Sequence, residues 1–259
     1  MFPQTLGDAA TENEKIEARQ IGEIKDWQKI FAAKAGYVQD VDADGLLEHA
    51  AENKILIRMR RSIGQFAATG ATLAEIAPDL KTAHRQPRID DETNAEINDF
   101  FTLDRHRTIE KDAGFGIRQI VDIALKALSP GINDTTTAVE CIDQLGEIVG
   151  EIARRKMPAK VRSKNDVPRV IIAAPDFDDY VETAFDQIRI SGKANLAIFD
   201  RLLSSVVFVG ECTDNKMHRH TLEKQIELIG EYAVRTLETD YEKEKARLKL
   251  AAAKQFFSV

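Results

Sequence analysis

The sequence predicts an α+β fold, predominantly α, in which a small β module packs with a multi-helix bundle. Two observations carry this. From Phe115 to Leu237 apolar residues recur at intervals of three and four, the period of a buried helix face. From Lys54 to Ile76 the pattern differs: Ile55, Ile57 and Met59 alternate with Leu56, Arg58 and Arg60, and Gly64 and Gly70 then punctuate the chain as turns do.

At 259 residues the chain is long enough for one large domain or two modest ones without a disulfide or metal scaffold. Hydrophobic residues make up 43% and charged residues 31%, the balance of a globular chain with a strongly solvated surface. The longest charge-free stretches, Leu202–Gly210 among them, fall short of the roughly 20 apolar residues that span a bilayer. The opening residues lack the basic leader and apolar core of a secretory signal. Two cysteines, Cys141 and Cys212, each in an apolar helical context, fit a reducing compartment. A net charge of −7 disfavours nucleic acid as a partner, because that role needs a basic face to gather phosphates.

Along the chain, residues 1–35 read as an amphipathic leading helix and linker, with Ile16, Ile21, Ile24, Trp27, Ile30 and Phe31 at helical spacing. Residues 36–80 form the β module. Its GYVQDVD opening is extended, Asp44 is placed to cap a brief helix through Ala51, and Gly64 and Gly70 turn the chain around Phe66. The spacing is of barrel-sandwich type and resembles biotinyl and lipoyl carrier domains, but the hairpin lysine that would carry the prosthetic group is missing, so no cofactor is expected. Residues 81–240 are a polar connector, to Glu96, followed by a helical domain with a short extended segment near 169–174. The helix around FGIRQIVDIALKAL stops at Ser129-Pro130-Gly131, Asp134 caps the next, and the two are expected to pair as an antiparallel hairpin. Pro175 and Asp176 open a helix bearing Val181, Ala184, Phe185 and Ile188, and two more helices follow. Residues 241–259 form a charged C-terminal helix, solvent-exposed or partner-bound.

Four features bear on chemistry. Asp40, Asp42, Asp44 and Gly45 imitate the start of a calcium loop, but the twelfth position is Ala51 where a bidentate carboxylate is needed, so a strand end and helix cap is the better reading and no metal is expected. His218 and His220, two apart on a helix, cannot share an ion and read as surface residues near a helix start. The run Arg154, Arg155, Lys156, Lys160, Arg162 and Lys164 is a helix C-terminus and solvated loop that could also meet anionic lipid. The richest polar stretch spans Asp104–Asp134. There Arg105, Arg107, Asp112, Arg118, Asp122, Asn133 and Asp134 could hold an anionic ligand with guanidinium forks and helix-start amides. The same set could be an ion-pair and capping network that fixes local geometry. No nucleophile lies beside a base, and phosphate-cradling loops and zinc helices are absent, so no catalytic residue is assigned.

These residues carry a resemblance. GYVQDVD at 36–42, IGQFAATGATLAEI at 63–76, RHRTIEKDAGFGIRQIVDIALKALSPGINDTTTAVECIDQL at 105–145 and, more loosely, FDQIR at 185–189 are similar to the bacterial family known as domain of unknown function 2254. The resemblance implies several N-terminal membrane helices followed by a C-terminal region like this chain, with the parent in the bacterial inner membrane. FPQTLG then looks like the segment just after the last membrane helix, which implies a truncated product, a separately encoded domain or an engineered fragment. Thr135 stands where family members tend to have proline. The family supplies no activity or ligand to carry over. The expected function is a cytoplasmic accessory domain that regulates or assembles a transport-like membrane part, as a homo-oligomer or with a separate membrane partner. The alternatives are an anion sensor or enzyme on the 105–134 stretch, and a structural module using the C-terminal helix.

Overall fold

The computed structural model describes residues 24–79 and 90–258. The fold is α+β and predominantly α, with eight helices and eight strands among the described residues. They divide into two compact units that do not follow chain order: one holds the residues up to Phe115 together with Met157–Ala174, the other Gly116–Lys156 together with Pro175 onward.

The first unit carries every strand. A five-stranded sheet has the order β1 (Gln28–Phe31), β5 (Thr72–Pro78), β3 (Ile55–Met59), β8 (Val167–Ile171), β7 (Val161–Lys164). A three-stranded sheet has the order β4 (Phe66–Ala67), β2 (Gly36–Val41), β6 (Phe101–Asp104). Ile30, Val38, Ile57, Leu73, Ile76, Leu103 and Val170 from both sheets share one apolar core, closed by Leu46 and Ala50 of α1 (Ala43–Glu52) and Ile97 of α2 (Asp91–Asp99). The expected β module therefore extends beyond residues 36–80 in both directions.

Several local expectations change here. Residues 13–23 of the leading helix lie outside the described residues. The remainder is not helical, because Ile30 is buried while Phe31 is 47% exposed, the alternation of an edge strand. Asn94 and Asn98 of α2 cover that edge: their Oδ1 atoms accept from Phe31 N at 3.0 Å and Ala33 N at 2.9 Å, and Asn98 Nδ2 donates to Phe31 O at 2.9 Å. The polar connector thus contains a helix, capped by Asp90, whose side chain accepts from Thr93 N. Asp42, not Asp44, caps α1, accepting from Gly45 N at 2.8 Å, so the calcium-like triplet is a strand end and a cap. Gly64 and Gly70 take positive φ at 84° and 77°, as their turns require.

The second unit is a helical bundle. α4 (Thr135–Ala153) lies along α6 (Leu196–Glu211) and α5 (Phe177–Ser191), and α7 (Lys216–Thr236) and α8 (Asp240–Phe257) complete it. The residues expected to face inward do so: Val181, Ala184, Phe185 and Ile188 of α5, and Leu222, Ile226, Ile229 and Ala233 of α7 are buried. The paired hairpin of α3 (Ala113–Ala127) with α4 is not what forms. α4 packs on α6 instead, because Gly146 and Gly150 let the backbones approach until a Cβ at Gly150 would stand 3.2 Å from both Cys212 Sγ and Phe208 Cε1, and one at Gly146 would collide with Ser205. The C-terminal helix is also more than a free charged tail. Thr239 and Glu242 form a capping box, and Ala246, Ala253 and Phe257 are buried against the bundle.

Candidate functional site

Between β6 and α3 the residues Arg105–Asp112 form a loop held at three points within the first unit. Gln39 of β2 grips it with both ends of its amide: Nε2 donates to His106 O, and Oε1 accepts from Thr108 Oγ1 at 2.8 Å. Lys111 pairs with Asp40 at 2.6 Å. Arg107 donates from Nε at 3.0 Å and Nη2 at 2.6 Å to Asp112 Oδ2, and the other Asp112 oxygen accepts from Phe115 N at 2.9 Å, capping α3. The guanidinium also lies 4.6 Å from the Phe115 ring centroid.

Gly64 forms the opposite wall. A Cβ there would stand 2.7 Å from Arg107 Nη2 and 2.8 Å from Asp112 Cγ, so backbone touches the ion pair directly. Asp112 is only 9% exposed, and both its oxygens are engaged. Such a pair fixes the loop: both carboxylate oxygens are engaged, while the half-buried guanidinium gives Nε and one Nη2 N–H of its five donors to Asp112. An open depression of about 400 Å³ lies on the outer side, where Thr102, Asp104, His106 and Glu110 join the anchoring residues. No group of three or more His, Cys, Asp or Glu side chains among the described residues could hold a metal ion.

The other residues of the polar stretch are used separately. Arg105 is exposed. Arg118 and Asp122 pair with each other at 2.8 Å along α3. Asn133 sits at φ 48° and donates its N–H to Ser129 O at 2.9 Å. Asp134 caps α4, accepting from Thr137 N at 3.0 Å and Thr137 Oγ1 at 2.6 Å, and the bond from the Thr137 hydroxyl holds its carboxyl below the usual aspartate range. The structure thus joins Arg107 to Asp112 and Arg118 to Asp122, and gives Asp134 to its own helix.

In the basic run, Arg154 is the C-cap of α4 and pairs with Glu151. What reads as a solvated loop is in part strand β7, whose Arg162 meets Asp44 at 2.7 Å and whose Lys164 meets Glu48. Arg155, Lys156 and Lys160 also have partners.

Sequence reasoning gives Arg169 no part and places His218 at the surface, yet both are buried. Arg169 on β8, its side chain 10% exposed, donates from Nη1 to Asp79 Oδ2 at 2.7 Å inside the first unit. In the second unit His218 is buried, stacked on Phe177 at 4.0 Å between centroids, with Nδ1 3.3 Å from Thr213 Oγ1. Burial pushes the His218 pKa down, against the raising effects of a hydrogen bond to the Ala153 backbone and of Asp178. A histidine kept neutral in the fold favours unfolding once the unfolded chain takes up its proton, so stability is predicted to fall as pH drops through about 6.5, the ordinary histidine value. Urea melts at pH 7.5 and 5.5 should show this loss, and His218→Gln should reduce the difference. An equal difference in the variant would remove His218 as its cause.

Burial raises the pKa of both thiols, the Glu140 charge adding to the effect at Cys141, while Arg154 partly offsets it at Cys212. A reactive cysteine needs the opposite shift.

No helix among the described residues is long and apolar enough to cross a membrane. No solved structure matches the chain. The sequence is 29% identical over 215 residues to uncharacterized protein MT1328 of Mycobacterium tuberculosis (strain CDC 1551 / Oshkosh), covering 80% of this chain and 39% of that protein. The same identity and coverage hold for uncharacterized protein Mb1321c of Mycobacterium bovis and uncharacterized protein Rv1290c of Mycobacterium tuberculosis strain H37Rv. The chain therefore spans about two fifths of the length of these relatives, 39%. Residues 4–207 match the family described as "Predicted membrane protein (DUF2254)", and the chain belongs to that family.

Proposed function

We propose that this chain is a cytoplasmic accessory domain of a membrane protein, regulating or assembling the membrane part by binding and not by bond chemistry. The observation that supports this most is the use made of the family-like RHRTIEKD segment. Gln39, Asp40 and Gly64 on one side, and Arg107, Asp112 and Phe115 on the other, hold its backbone in place. Polar groups engaged with one another serve as a structural latch, whereas catalysis needs groups aimed at a reacting atom. The family description supports a membrane-associated parent.

The test is a thermal-shift screen against nucleotides, inorganic phosphate and organic acids. No compound is expected to raise the melting temperature. Stabilisation by one of them that Arg107→Lys abolishes, while the variant remains folded, would replace the latch with an anion sensor or enzyme site.

A further inference from the structure

Four helix ends of the second unit converge on the ring of His218. The ring stacks on Phe177, the first residue of α5, with 4.0 Å between centroids and 21° between planes. It hydrogen-bonds the backbone of Ala153, the last residue of α4. Nδ1 stands 3.3 Å from the hydroxyl of Thr213, in the turn after α6, and the same oxygen accepts at 3.1 Å from the N–H of Asn215, the N-cap of α7. The chain leaves this unit after Lys156 and re-enters it at Pro175. Both ends of that excursion, α4 behind and α5 ahead, are therefore rooted on one imidazole.

These contacts suit a neutral ring. A neutral imidazole has one donor and one acceptor. The Ala153 carbonyl takes the donor, and the acceptor is left for the Thr213 hydroxyl. An imidazolium has two donors, so the hydroxyl proton of Thr213, a residue 8% exposed, would lose its place on the ring and need another acceptor. Nearby charges do not offset this. Asp178 of α5 favours the cation, but its Oδ1 already accepts from Thr221 Oγ1 at 2.5 Å, and burial outweighs it. Arg154, next to Ala153, pairs with Glu151, while Arg219 donates to Phe256 O at 3.3 Å and His220 faces Glu223 at 3.9 Å. Asp214 of the turn and Lys216 of α7 are exposed.

We propose that His218 is a pH-sensitive pin: when its ring takes up a proton, the end of α4, the start of α5 and the α6–α7 turn open together while the remainder of the bundle stays folded. An opened ring binds its proton at the ordinary histidine value, about 6.5, and the closed ring only at lower pH, so opening gains on closure as pH falls below that value. The pin shares no residue with the latch, so the ligand screen and the test below fail separately. A histidine exposed only when the whole unit unfolds would lower stability in acid without any local opening, which separates the pin from a general acid effect.

The experiment is hydrogen exchange of the full chain at pH 7.5 and 5.5, read by mass spectrometry and corrected for the intrinsic exchange rate at each pH. Protection in peptides covering 148–156, 175–181 and 212–219 should fall roughly three- to tenfold, tenfold being about the most that one proton gives over the pH unit below 6.5. Peptides from α8 and from the five-stranded sheet should keep their protection. His218→Gln, which retains a donor and an acceptor but takes up no proton, should make the three regions indifferent to pH, and His220→Gln should respond like the parent. The regional pattern in the parent chain tests the pin even if His218→Gln fails to fold. Constant protection in the three regions, an equal loss through α8 and the sheet, or a pH response that survives His218→Gln would overturn the proposal.

Discussion

Gly64→Ala is expected to lower the melting temperature of this protein by roughly 10 °C, far more than adding one methyl group to a loop ordinarily does. Two costs add. The glycine sits at φ 84°, a left-handed conformation that costs an L-residue about 1–2 kcal/mol. The new Cβ would also collide with the Asp112 carboxylate and stand 2.7 Å from Arg107 Nη2, and such overpacking costs about 1–3 kcal/mol. The groups it meets cannot swing aside cheaply, because Asp112 is also the cap of α3. A change of only a degree or two would mean that the loop yields freely and is not a latch.

Arg169→Met should be comparably damaging for a different reason. The guanidinium donates to Asp79 at 2.7 Å, and Asp79 is 2% exposed, so the substitution removes a charged hydrogen-bond donor from a deeply buried carboxylate. Breaking a buried pair from one side costs about 3–5 kcal/mol, whereas replacing both charges with apolar groups of similar volume is often neutral. The double variant Arg169→Met with Asp79→Leu is therefore expected to melt closer to the parent than Arg169→Met alone. Denaturant melts of the three proteins check this, and a double variant no closer to the parent than Arg169→Met alone would contradict the account.

Much of the bundle is legible in the sequence because its signals are local. Asp134 and Asp176 stand where an N-cap must stand, and the apolar stripes of α5, α6 and α7 hold a strict helical period, so burial follows the pattern. The misreadings come from short or non-local features. Trp27–Phe31 is too short to separate a helix turn from an edge strand, and only pairing with β5 decides it. The β7–β8 hairpin has a signal that was available, Asn165-Asp166 between two β-rich runs, and both residues adopt positive φ, at 53° and 56°. Pro168 within β8 argues against a central strand, yet it pairs with Ser163 beside a register shift, where the missing N–H is tolerated.

The candidate site was legible in its residues and not in its geometry. Arg107 and Asp112 are five apart and could be paired by eye. Their wall, Gly64, and their anchor, Gln39, come from distant strands: Thr108 and Gln39 are 69 residues apart, and nothing in either segment announces the other. The choice of α6 as the partner of α4 depends likewise on Gly146 and Gly150 meeting side chains more than fifty residues on.

The sharpest measurement repeats the Gly64→Ala melt in a background carrying Arg107→Ala and Asp112→Ala. If the methyl group hurts by striking a rigid ion pair, trimming that pair should recover at least about 1 kcal/mol of its cost, since neighbouring substitutions couple by this much. If the penalty is unchanged and trimming the pair leaves the fold as stable as before, the two charges hold nothing together, and their purpose must be sought in a molecule that they grip.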